Sequence, residues 1–205
     1  RWRGVALDTF DNKVWTKSRP PAQNAIVKNE NDAFLIEYAS GKRALTSQTF
    51  YVEPLDTDVL FSLSRPVVVI GGFPVIRRDA YGSLTAARNN NERISYKVVS
   101  DRWTPETESL RKDNGEYPAG IVGYLQLPDN LDPRIRELSS KVVDGKTTRF
   151  ERVRAIEDFL QYEFGYTLEQ KASGDQPVAD FLFNVREGHC EYFATAMVVM
   201  LRTQG

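Results

Sequence analysis

The chain has 205 residues, 41% of them hydrophobic, with Lys+Arg 27 against Asp+Glu 28 and a formal net charge of −1. That length supports one good core or two small ones, and a balanced charge with no basic run between aromatics argues against a nucleic-acid binder. No apolar stretch approaches the roughly 20 residues of a membrane-spanning helix, while a single cysteine and a single histidine provide neither an internal disulfide nor a metal-ligand cluster.

From Arg1 to about Ser100, short β runs alternate with turn residues. Val5-Ala6-Leu7 and Val14-Trp15-Thr16 flank Asp11-Asn12, which predicts a hairpin. Ala33–Tyr38, Gln48–Val52, Val59–Leu63 and Pro66–Ile70 read as further strands. Gly71-Gly72-Phe73-Pro74 lacks the lysine and the following helix of a phosphate loop and reads as a turn. Ser83–Ala87 and Ile94–Val99 bracket Asn89-Asn90-Asn91 and predict a second hairpin; in the latter strand Ile94, Tyr96 and Val98 form an apolar face. Strands at this spacing predict a sandwich or barrel. Trp103–Gly123 is charged and turn-rich, with a short helix opening at Thr104-Pro105 and stopping at Asn114-Gly115. It reads as the connection between two domains.

Beyond Leu131 the period becomes helical. Asp132-Pro133 supplies an N-cap and a first-turn proline, Ile135, Leu138 and Val142 share a face, and Gly145 ends the helix. Thr148 and Glu151 are spaced as a capping box for the next helix, whose stripe is Phe150, Val153, Ile156, Phe159 and Leu160 and which stops at Gly165. Asp175 through Glu187 reads as a short helix and a polar turn. The run Gly188-His189-Cys190-Glu191-Tyr192-Phe193-Ala194 then leads into a helix, apolar almost all round through Leu201.

Cys190 therefore falls where a loop becomes a helix. A thiol there faces backbone N–H groups without intrahelical partners and the positive end of the helix dipole, which favour an anionic nucleophile. The dipole, worth about 0.3–1 kcal/mol, is too small to do this unaided, and cysteine enzymes add a histidine within hydrogen-bond reach. His189 is a poor candidate, because adjacent side chains leave a strand on opposite sides and a helix about 100° apart. A loop residue packed beside the site is its simpler role. For Cys190 the alternative is a buried structural thiol.

Asp180-Phe181-Leu182-Phe183, Gly188 through Ala194, and Leu201-Arg202-Thr203-Gln204-Gly205 resemble the nucleophile segment of the transglutaminase-like core, especially its bacterial membrane-anchored members. Leu131–Leu168 is similar to the helical lead-in of that core, and Trp2-Arg3-Gly4, Leu7-Asp8 and Val14-Trp15 resemble the β-rich region that precedes it. The resemblance implies an α+β protein: a β-rich sandwich- or barrel-like domain over residues 1–125, then the helical first part of a papain-like core over 126–205. It also implies a Cys–His–Asp triad with Cys190 as its nucleophile and the other two members on strands beyond Gly205. With no initiator methionine and no signal peptide at Arg1, the sequence is expected to be a piece of a longer protein, inactive by itself. Its central apolar helix is expected to lose part of its cover. No tryptophan lies between Trp103 and Cys190, so the tryptophan of the animal enzymes' oxyanion site has no counterpart. Tyr162 or Tyr166 is a candidate substitute, core packing being the simpler role for both.

The implied activity is acyl transfer from a glutamine carboxamide through a thioester to an amine, with no cofactor. Partners would be glutamine- and amine-bearing proteins or peptides, with no nucleic acid. Membrane attachment would come through segments outside this chain, holding the domain on the extracytoplasmic side. A cysteine peptidase or amidase uses the same triad, and a non-catalytic cell-envelope binding domain is the alternative of another class.

Overall fold

A computed structural model describes residues 2–18, 24–39, 44–87, 91–117, 121–169, 171 and 174–205, and among these described residues local sequence and its partners form twelve strands and five α-helices. The strands of the first part are β1 (Thr9–Phe10), β2 (Trp15–Thr16), β3 (Asn24–Ile26), β4 (Phe34–Leu35), β5 (Leu45–Val52), β6 (Val59–Leu60), β7 (Pro66–Gly71), β8 (Ile76–Arg78), β9 (Leu84–Thr85) and β10 (Ile94–Asp101). There follow α1 (Thr107–Lys112), α2 (Pro133–Val142), α3 (Arg149–Glu163), β11 (Gly165–Tyr166), α4 (Pro177–Asp180), β12 (Glu187–Gly188) and α5 (Cys190–Arg202). No described helix is long and apolar enough to cross a membrane.

Contacts gather these elements into two units, one of residues 1–7 and 19–104 and the other of 8–18 and 105–205. The division differs in form from the one expected at residue 125. Residues 8–18 join the second unit through Phe10 and Trp15, and the stretch after Thr104 joins it through α1, which packs against α3.

In the first unit, two four-stranded antiparallel sheets, β4-β7-β10-β5 and β3-β8-β9-β6, share one core. Alternation along β5 and β10 buries Phe50, Val52, Tyr96 and Val98 and exposes Tyr51 and Lys97. These join Phe34 and Val69 from their own sheet and Leu60, Ile76 and Leu84 from the other. Each such side chain contributes on the order of 1.5–3 kcal/mol on burial. The Tyr96 hydroxyl is satisfied inside, accepting from the Phe61 N–H at 2.7 Å and donating to the Phe61 carbonyl at 3.1 Å.

The expected hairpin across Asn89-Asn90-Asn91 does not form. β10 pairs along both edges, with β5 and β7, while β9 pairs with β6 and β8 in the other sheet. A central strand has no edge left for the segment that precedes it. Asn89 and Asn90 lie outside the described residues.

In the second unit the first hairpin is present but shifted, pairing β1 with β2 rather than using Val5–Leu7. The shift has a local cause: Asp11 Oδ1 accepts from the Lys13 and Val14 N–H groups at 2.8 Å, and Asn12 takes φ 86°. That turn brings Phe10 opposite Trp15, their rings stacked 4.8 Å apart. Phe10 is 1% exposed and joins the helical core with Ile135, Ile156, Leu160, Phe181, Val199 and Met200. Gln126 clamps the hairpin, its Oε1 accepting from the Phe10 N–H at 2.8 Å and its Nε2 donating to the Phe10 carbonyl at 3.0 Å.

α2 and α3 begin as the sequence predicts, whereas α1 opens at Thr107 after Glu106, with no side chain capping it, rather than at Thr104-Pro105. Asp132 caps α2 by accepting from the Arg134 N–H, and Thr148 and Glu151 close a reciprocal capping box on α3. α4 runs on into a wide π-helical turn, Phe181–Val185, closed by the Arg186 N–H donating to the Phe181 carbonyl at 3.0 Å. Arg186 takes φ 55° there, and the chain then enters β12 and α5.

Candidate active site around Cys190

Cys190 is the first residue of α5 and is exposed. His189 is the N-cap in extended backbone, φ −93° and ψ 178°, and no side chain caps the helix. The His189 carbonyl starts the helical ladder, accepting from the Tyr192 N–H at 3.1 Å. The buried-thiol alternative is thus not what the structure shows. An exposed sulfur sits at the electropositive end of a thirteen-residue helix.

The helix itself is anchored from several sides. Ala196, Val199 and Met200 are fully buried, and α5 packs against α2, α3 and α4. The Trp15 indole Nε1 donates to Thr195 Oγ1 at 3.1 Å. Near the other end Arg202, 9% exposed, lies over the Trp15 ring and donates to the Gln126 carbonyl at 2.6 Å. Burial pushes its guanidinium below the usual range, opposed by the charge of Asp8. A rigid support of this kind is what a nucleophile needs to hold attack geometry. The expectation of burial on most sides needs one correction: Cys190, Glu191, Ala194 and Val198 leave one side of α5 open.

Gly188 has a steric reason. A Cβ on it would lie 2.9 Å from Tyr192 Cδ2 and 3.3 Å from Tyr192 Cβ. The Tyr192 ring in turn stacks on Phe181 at 5.6 Å and meets the His189 imidazole at 4.8 Å. The one histidine is therefore a packing partner of Tyr192 beside the thiol.

The approach to Cys190 is fixed by a feature that sequence reading missed. β11 and β12 pair in parallel, and the flanking Gly165 and Thr167 N–H groups donate to the Arg186 and Gly188 carbonyls at 2.9 and 3.0 Å. Two-residue strands leave no alternation to detect; the only trace is the glycine at each. Tyr162 and Tyr166 are not core residues, as their simpler role had been, but 77% and 65% exposed. Tyr162 lies on the outer side of the last turn of α3, and the Tyr166 ring lies beside that of Phe193, tilted by 31° with ring centroids 6.3 Å apart. Around the strand pair, Lys171 bonds Glu187 at 2.6 Å and Arg186 bonds Glu163 at 3.3 Å. Glu187 and its neighbour Glu169 hold the Lys171 ammonium above its ordinary range. Among the described residues no group of His, Cys, Asp or Glu side chains has the arrangement of a metal site.

Comparison with known proteins matches these two parts separately. Residues 1–107 fit the TgpA N-terminal domain and residues 136–205 the transglutaminase-like superfamily. Over its whole length the chain is 38% identical to a protein-glutamine gamma-glutamyltransferase of Pseudomonas aeruginosa, of which it spans 28%. It is also 38% identical, over 47% of its length, to the uncharacterized protein YebA of Bacillus subtilis, of which it spans 13%. Two crystal structures of the periplasmic domain of TgpA from Pseudomonas aeruginosa, one bound to ethylmercury, superpose on 99% of the chain with TM-scores of 0.72 and 0.69 at 23% identity. The superpositions take in 64% and 66% of those chains. This is the fold expected from sequence, an α+β protein with a β-rich first part and a transglutaminase-like segment after it. The chain belongs to the TgpA N-terminal domain family, followed by a segment of the transglutaminase-like superfamily.

Proposed function

We propose that Cys190 is the nucleophile of a transglutaminase-like acyltransferase, of which these 205 residues form part. The observation that carries the reading is an exposed thiol on the first residue of a well-anchored helix within the matched segment. The thiolate adds to a glutamine carboxamide carbon to give an oxyanion, for which the Cys190 N–H is one donor. Collapse of the oxyanion expels ammonia, which takes up a proton, and leaves a γ-glutamyl thioester on Cys190. An amine then attacks the thioester, forming the isopeptide bond and releasing the thiol; water in its place gives glutamate. Proton transfer requires a histidine and an orienting aspartate from outside residues 1–205, because His189 is engaged with Tyr192. The name of the Pseudomonas aeruginosa relative supports transfer over hydrolysis, and the likeness to a domain described as periplasmic supports an extracytoplasmic location.

The test is mass spectrometry of a glutamine donor peptide incubated with a primary amine and the full-length protein. The expected product is the amine-linked peptide, with Cys190→Ala lowering its rate by orders of magnitude. Cleaved peptide without amine adduct would assign a peptidase instead, and full activity in Cys190→Ala would leave only a binding scaffold. Residues 1–205 alone are expected to show no sustained incorporation.

A further inference from the structure

Tyr166 is placed where a substrate flanking the thiol would pass. Phe193 follows Cys190 by three residues on α5, so the two side chains are neighbours on one helix surface, within a single turn of about 5.4 Å. The Tyr166 ring lies beside that of Phe193, centroids 6.3 Å apart and planes tilted by 31°, and the residue is 65% exposed. It is held there by the backbone ladder to Gly188, two residues before Cys190. The shelf thus has a fixed relation to the sulfur, and Leu168, 81% exposed, extends the apolar surface along the same segment. A solitary exposed aromatic needs no explanation; one whose backbone is paired with the segment leading into Cys190 is positioned for contact. The charges bordering the strand pair are engaged within the protein, Lys171 with Glu187 and Arg186 with Glu163. With Glu169 also on Lys171 at 3.6 Å, the border holds two cations against three carboxylates; that surplus disfavours an acidic side chain, and the flat ring favours an apolar one.

We infer that Tyr166 is a specificity residue, receiving an apolar or aromatic side chain adjacent to the reactive glutamine of the acyl donor. The inference rests on the reading of Cys190 as nucleophile. It predicts that donors with leucine or phenylalanine beside the glutamine react faster than donors with glycine there, and that Tyr166 causes the difference.

The experiment uses two short peptides in which a chloroacetamide replaces the glutamine side chain, one flanked by phenylalanine and one by glycine, with iodoacetamide as a reagent without a flank. Labelling of Cys190 in the 205-residue chain is followed by intact mass. The expected result is a phenylalanine-to-glycine rate ratio of about tenfold, near the low end of what apolar contacts give in discrimination. Tyr166→Phe should keep that ratio and Tyr166→Ser should bring it close to one, with the iodoacetamide rate unchanged in both. A ratio near one in the unaltered chain, or an unchanged ratio in Tyr166→Ser, overturns the inference while brisk iodoacetamide labelling leaves Cys190 standing as nucleophile. Amine incorporation by the full-length protein that survives Cys190→Ala overturns the nucleophile and the inference together. A ratio that collapses as protein concentration rises assigns the shelf to a second copy of the chain and likewise overturns it.

Discussion

At the scale of single residues, the thiol depends on a glycine that takes no part in chemistry. No room exists for a Cβ at Gly188, since the obstructing atoms belong to the base and ring of Tyr192 rather than to a flexible tip. Its backbone does not occupy the left-handed region, so the penalty of substitution is steric. Gly188→Ala should therefore displace Tyr192 from its stack on Phe181 and cost about 1–3 kcal/mol, the range for overpacking. Urea unfolding followed by tyrosine fluorescence would measure it, and an unchanged midpoint would show that Tyr192 yields freely. Because His189 packs on the same ring, one methyl group should disturb both neighbours of the sulfur. The place of Cys190 at a helix start was legible from Gly188 and the apolar run after it. The exposed Tyr166 was not, because its position is set by a two-residue parallel pairing with a segment some twenty residues further on, which no local pattern records.

At the scale of elements, the helices carry their own instructions and the strands do not. Asp132 accepts from the Arg134 N–H at 2.9 Å and pairs with the Arg134 guanidinium at 2.7 Å, and that guanidinium holds its carboxyl below the ordinary 3.8. Glu151 is held below its ordinary 4.5 by N–H groups of Thr148 and Thr147. A carboxyl whose folded-state value is depressed contributes stability that is present above its unfolded value and is lost as pH falls through the folded one. Asp132→Asn combined with Glu151→Gln removes both charges, and Asn caps a helix about as well as Asp. The double variant should thus keep its caps, lack the charge-linked stability at neutral pH, and show a shallower loss between about pH 5 and pH 2. Circular dichroism melts across that range would check this, and parallel slopes would contradict it. These caps were readable because donor and acceptor lie within four residues of one another. Strand partners were not: β10 and β9 are neighbours in sequence yet lie in different sheets, since the eight-residue β10 satisfies both edges with distant strands. β3 and β8 escaped notice for a related reason, being three residues each, with Arg77 and Arg78 closing β8.

At the scale of the whole molecule, the chain passes between its two units after Leu7, Ser18 and Thr104. The segment 8–18, inside the stretch that matches the TgpA N-terminal domain, thus supplies core to the unit that holds Cys190. Phe10 is almost fully enclosed among the helices, Trp15 bonds α5 at Thr195, and Gln126 ties the hairpin backbone to the carbonyl that receives Arg202. The transglutaminase-like segment is consequently not self-sufficient at its core. Phe10→Ala should cost about 3–5 kcal/mol, the range for emptying a buried aromatic site, and the loss should be confined to one unit. Hydrogen exchange would resolve the two: amides of α3 and α5 should exchange faster in the variant, while those of β5 and β10 keep their protection. Equal loss in both units would mean that they unfold as one cooperative block. A piece beginning at Pro105 tests the same dependence, because it lacks Phe10 and Trp15 altogether. It should display weakened protection along α5, and adding back a peptide of residues 8–18 should restore part of it.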